Sequence, residues 1–97
     1  MCHGALQVCN KLGWFPDIVH AHDWSSGLAP VLVKHVCRSQ SAFSKTASVF
    51  TIHNMGYQGV YGKEKFTDLG LDWSLYYGAG FERNGAINHL QAGISSA

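Results

Sequence analysis

Two histidines, an aspartate and a tryptophan follow an apolar pair in Ile18-Val19-His20-Ala21-His22-Asp23-Trp24, and a second apolar run ends alike in Thr51-Ile52-His53-Asn54. Imidazole, carboxylate and carboxamide groups support three kinds of chemistry. They ligate zinc. They exchange hydrogen bonds with sugar hydroxyls while nearby aromatic rings take the apolar sugar faces. Or they only close a strand and cap a helix. The zinc reading rests on alternation: residues two apart share a strand face, so His20 and His22 could converge, with His53 as a third ligand. Against it, the chain continues Asp-Trp-Ser, without the further Asp-His that follows H-x-H in such sites. His20 alone reads most simply as a structural histidine bonded to backbone. Asp23, His53 and Asn54 together point further, because two strand ends agree.

The elements that would position these groups follow from the pattern of apolar residues. Residues 4–13 place Leu6, Cys9 and Leu12 at helical spacing and stop at Gly13. Pro16-Asp17 turns the chain into a strand over 17–22. Asp23 or Ser25 then caps a helix of about 26–38, whose inner stripe is Leu28, Val31, Leu32, His35 and Val36, with Pro30 near its first turn. Residues 38–46 are polar and serine-rich and read as a surface loop. Residues 47–53, with β-branched and aromatic side chains, read as a second strand.

Strand, helix, strand predicts a right-handed βαβ unit with parallel strands. Ligands of open α/β sheets bind beyond the carboxyl ends of the strands, so both polar clusters should face one crevice. The stretch 54–84, dense in glycine and aromatic residues, reads as a long functional loop that begins beside the crevice with Tyr57 and Gln58. Asn84 is expected to cap a last helix carrying Ile87, Leu90 and Ile94 inward. Trp24 reads as packing, and Trp73, Tyr76 and Tyr77 as a small satellite core. Glu82-Arg83 reads as a surface or capping pair. No glycine pair matches a phosphate-binding loop.

Composition narrows the function. The chain has 97 residues, enough for one small domain, with 46% hydrophobic residues and a formal net charge of +1. No basic stripe appears, so nucleic acid is not an expected partner. No apolar stretch approaches the roughly 18 residues of a membrane span, and no signal peptide is visible. Three cysteines (Cys2, Cys9 and Cys37) form no C-x-x-C pair, which reads as reduced thiols in a cytosol-like compartment. Few charges, many aromatics and 11 glycines suit the inside of an enzyme and a piece of something larger.

Three blocks, PDIVHAHDWSSGLAP, SVFTIHNMGYQGVY and GAGFERNGAINHLQAGI, resemble consecutive blocks of bacterial glycogen synthases and plant starch synthases over about residues 14–97. The resemblance implies part of a Rossmann-like parallel sheet, the N-terminal half of a GT-B fold. Residues 1–97 would then be a partial acceptor-side domain, lacking the C-terminal nucleotide-sugar domain and the upstream lysine and glycine-rich block. It implies retaining transfer of glucose from ADP-glucose, or UDP-glucose, to the non-reducing end of an α-1,4-glucan, with neither metal nor other cofactor. By resemblance, His53 lies beside the donor glucose and Asp23 is a carboxylate on the acceptor side. Asn54, Tyr57, Gln58 and His22 would line the same cleft. The implied setting is a bacterial cytoplasm or a plastid stroma. Ser25-Ser26 departs from the more usual His-Thr or His-Ala. This piece alone is expected to be inactive and to need the missing domains. The competing readings are a small glucan-binding or regulatory module and, further off, a metallohydrolase fragment using His20, His22 and His53.

Overall fold

A computed structural model describes residues 2–37 and 43–97 of the chain. Helix α1 spans Cys2–Leu12 and leads through a turn to strand β1, Ile18–His22. A short 3-10 turn, Trp24–Ser26, opens into α2, Leu28–Val31, and the same helical run widens into a π turn over Leu32–Val36 before β2, Ala47–Thr51. Pro30 sits early in α2, where a missing N–H costs no internal hydrogen bond. β1 and β2 pair in parallel from Ile18 opposite Ala47 to His22 opposite Thr51. The expected strand–helix–strand unit with parallel strands is therefore present. The part of the 38–46 loop up to residue 42 lies outside the described residues. At its other end Phe43 and Thr46 are buried, Phe43 meeting Phe15 edge-on, while Ser44 and Lys45 between them are exposed as expected.

One face of this two-stranded sheet is covered. Ala21, with Val19 and Phe50 beside it, packs with Cys2 and Leu6 of α1 and with Leu32 and Val33 of the helical run. Cys2 and Cys9 lie on this side. Val33 is fully buried whereas Val36 is 38% exposed, because the π turn shifts the phase of the inner stripe. On the opposite face Ile18, His20, His22 and Val49 are exposed among the described residues. Parallel sheets are normally covered on both faces.

Residues 54–84 are not one long loop. They contain β3 (Val60–Gly62), a 3-10 segment (Lys63–Leu69), α3 (Ser74–Gly78) and β4 (Glu82–Arg83). β5 (Ala86–Asn88) lies between β3 and β4, antiparallel to both. Asn84 does not cap a helix. Asn84 and Gly85 have φ of 53° and 77° and form the two-residue turn of the β4–β5 hairpin, where a type I′ turn needs positive φ at both positions. The last helix, α4, starts later, at His89–Ser96, and Asn88 is its cap, accepting the backbone N–H of Gln91. Ile87 is consequently a buried strand residue, Leu90 is buried in the helix, and Ile94 is 51% exposed rather than inward.

A second core gathers Phe66, Tyr76, Phe81, Ile87, Val31 and Ala92. Trp73 joins it through the Phe66 ring at 4.9 Å, while Tyr77 remains 69% exposed. The two halves join where α2 crosses α4. A Cβ on Gly93 would stand 2.9 Å from the Phe50 ring and 3.1 Å from the Gly27 Cα, so the backbones approach as closely as two glycines permit.

Candidate functional site

The parallel register decides what meets at the carboxyl ends of β1 and β2. His22 stands opposite Thr51, which brings the residues after each strand side by side. Asp23 N–H donates to the Thr51 carbonyl at 2.9 Å, extending the ladder by one bond. In return the Asp23 carboxylate, through Oδ1, accepts the backbone N–H of His53 at 2.6 Å. To reach it the Asp23 backbone adopts φ 61° and ψ 177°, a conformation essentially reserved for glycine. Asp23 is thus not the side-chain cap that its position before the 3-10 turn suggested; Ser26 instead bonds to the backbone of His22, both accepting its N–H and donating to its carbonyl.

The imidazoles form a row. His20 and His22 lie on one strand face with ring centroids 4.2 Å apart, and the His22 and His53 rings stack at 5.4 Å. Nδ1 of His22 is 3.1 Å from Nε2 of His53, one nitrogen donating to the other. Nε2 of His20 bonds to the Thr51 hydroxyl at 2.7 Å, a side-chain partner rather than the backbone. His20 Nε2 is thus turned on Thr51, and His22 Nδ1 and His53 Nε2 on one another. Among the described residues no group of three or more His, Cys, Asp or Glu side chains is placed to hold a metal ion. His22 and His53 are exposed and Asp23 is half-buried.

The remaining expected site residues divide. Asn54 folds its side chain back, accepting the Gly56 N–H at 2.7 Å as an Asx turn does. Tyr57 is 70% exposed beside it. Gln58 is a clamp: its Oε1 accepts from Asn88 Nδ2 at 2.8 Å, and its backbone carbonyl accepts the Leu90 N–H at 3.0 Å. Asn88, 1% exposed and bonded on both sides of its amide, was missed. Its signal was present as Asn three residues before Gln91, the spacing of a capping box. Trp24 does pack, as expected. It faces Tyr61 and His89 at 6.2 and 6.0 Å and lies against Gly59, where a Cβ would overlap its ring. These three rings, with Lys65 and Asp68, line a cavity of about 330 Å³.

The molecule is a parallel α/β layer with imidazole, carboxylate and carboxamide groups massed at the carboxyl ends of its strands, the edge at which open α/β sheets bind ligands. Comparison with known proteins is specific. The family model described as the starch synthase catalytic domain matches residues 1–97. A glycogen synthase of Treponema denticola is 55% identical over 97 residues, covering 100% of this chain and 20% of that protein. A glycogen synthase of Thermotoga maritima is 43% identical over 93 residues, 96% of this chain and 19% of its own length. Among solved structures, the catalytic domain of starch synthase IV from Arabidopsis thaliana, bound to ADP and acarbose, superposes with a TM-score of 0.84 at 25% identity, over 99% of this chain and 20% of that one. The chain belongs to the starch synthase catalytic domain family. It spans about a fifth of the length of the relatives it matches. No helix among the described residues is long and apolar enough to cross a membrane.

Proposed function

We propose that the chain is a central piece of the N-terminal, acceptor-side domain of a glycogen or starch synthase. The longer protein transfers glucose from ADP-glucose to the non-reducing end of an α-1,4-glucan with retention of configuration. The observation that carries this reading is the contact between strand ends, His22 and Asp23 on His53, in a chain that matches the family throughout. ADP in the Arabidopsis relative supports an adenosine donor over a uridine one.

In the transfer, the bond from the glucose anomeric carbon to the diphosphate breaks and the electron pair leaves with the nucleotide. A bond from that carbon to the acceptor 4-hydroxyl forms, and the hydroxyl proton passes to the departing diphosphate. Positive charge builds on the sugar ring in between. A carboxylate and fixed dipoles in a water-poor cleft stabilise such charge, and holding donor and acceptor together supplies much of the rate. His53 stands beside the donor glucose and Asp23 faces the acceptor. Asp23 spends one oxygen on His53 and keeps a second for a sugar hydroxyl. The exposure of this edge is what half of a two-domain cleft would present, with the nucleotide-binding half supplied by the rest of the protein. The 97-residue piece alone is inactive on this reading.

The test is transfer of labelled glucose from ADP-glucose to glycogen by the full-length protein, beside the 97-residue chain. Activity in the full-length protein only, lost on His53→Ala, is expected. A full-length protein silent with both ADP- and UDP-glucose overturns the reading.

A further inference from the structure

His22 enters the functional reading as one more residue lining the cleft, but its geometry gives it a narrower task. Its Nδ1 is committed to Nε2 of His53 at 3.1 Å, and its ring is stacked on His53 and lies tilted against His20. Of its two ring nitrogens, the one on the β2 side is therefore spent on a neighbouring side chain rather than on a ligand. We propose that His22 is the positioning residue for His53, fixing its tautomer and ring plane so that a single, defined Nδ1 state faces the substrate. The inference rests on the synthase reading for its consequence in catalysis, and on the hydrogen bond alone for its structural content.

The chemistry of two facing imidazoles makes this a real constraint. Only one of the two facing nitrogens can carry a proton if the bond is to exist. When His22 donates, Nδ1 of neutral His53 holds its proton and is a donor. When His53 donates, Nδ1 of neutral His53 is an acceptor. The choice made at one end therefore sets what the other end of His53 can do, as it does wherever an imidazole's second nitrogen is held by a partner. The rest of the surroundings keep His22 in place. β1 fixes its backbone, Ser26 bonds to both its N–H and its carbonyl, and His20, itself held by Thr51, backs its ring. His53 is held independently at its own N–H by Asp23, so its backbone stays put when its ring is released. The titratable groups in contact with the pair are His20, against the His22 ring, and Asp23, on the His53 N–H.

The experiment compares His22→Ala and His22→Asn in the full-length protein, because Asn places an amide group where the His22 Nδ1 now stands and can donate or accept. His22→Ala is expected to lower kcat about ten-fold, the scale of one lost hydrogen bond, with little change in KM for glucan. His22→Asn is expected to recover most of the loss. Nitrogen-15 spectra of the ring should show one His53 tautomer in the wild type and a mixture in His22→Ala. Equal losses in both variants with a raised KM for glucan would overturn the proposal and make His22 a sugar contact. An unchanged His53 tautomer in His22→Ala would overturn it outright. If the wild-type protein transfers no glucose, the synthase reading falls, and the ring spectra still decide whether His22 governs His53.

Discussion

The Asp23 carboxylate accepts the His53 backbone N–H at 2.6 Å while its own N–H reaches the Thr51 carbonyl, so one residue ties the ends of β1 and β2 together twice. The tie requires a left-handed backbone at Asp23, φ 61° and ψ 177°, which costs on the order of 1–3 kcal/mol for a residue with a side chain. Stability and site geometry are therefore opposed at one position.

That opposition is measurable. Asp23→Ala removes the carboxylate and keeps the backbone cost, so unfolding in urea is expected to shift down by about 1–2 kcal/mol. Asp23→Gly removes the same carboxylate but releases the backbone, and is expected to stay within about 1 kcal/mol of the wild type. Both should be inactive in glucose transfer. Equal stabilities of the two variants would show that the backbone at position 23 carries no cost.

The crossing of α2 and α4 should be intolerant of any side chain. Gly93→Val forces branched carbon into the Phe50 ring and the Gly27 backbone and is expected to cost about 1–3 kcal/mol, read as a lowered urea midpoint. Gly27→Ala should be no milder, since its Cβ would fall on the His89 carbonyl, a backbone atom that cannot rotate away. Wild-type midpoints for both would mean that the helices can slide apart freely.

The hairpin turn offers a cleaner case, because a Cβ on Gly85 meets nothing within 4 Å. Any effect of Gly85→Val must come from its φ of 77° and not from crowding. A loss of about 1–2 kcal/mol is expected, with Asn84→Gly nearly neutral. A neutral Gly85→Val would refute the turn geometry.

Acid should loosen the start of α3. Asp72 accepts the backbone N–H of Ser74 at 2.9 Å, which holds its carboxyl below the ordinary carboxylate range. A lowered folded value contributes stability that is present above the unfolded value and is lost as pH falls through the folded one. Asp72→Asn should therefore remove part of the acid sensitivity of amide exchange at Ser74 and Leu75. An identical pH profile in the variant would count against it.

How far the sequence foretold this molecule depends on the range of the interaction. β1, β2 and the helices around them were legible because apolar runs and helical spacing are local. The family blocks led to the same fold and the same family. The β4–β5 hairpin was not legible because Asn84 also suits a helix cap, although Asn-Gly is the strongest two-residue turn signal. The cap reading starts α4 too early and turns Ile94 inward, where a start at His89 exposes it. Gln58 and Asn88 carry no local mark of their contact, which bridges 30 residues. The same holds for His22 and His53, 31 residues apart: only the strand register decides that their rings meet.

Position 23 is also a mechanical joint. Its main chain belongs to the end of β1 and bonds to Thr51, while its side chain grips the main chain just beyond β2. A shift of either strand end is therefore passed to the other through a single residue, with no flexible side chain between them to absorb it.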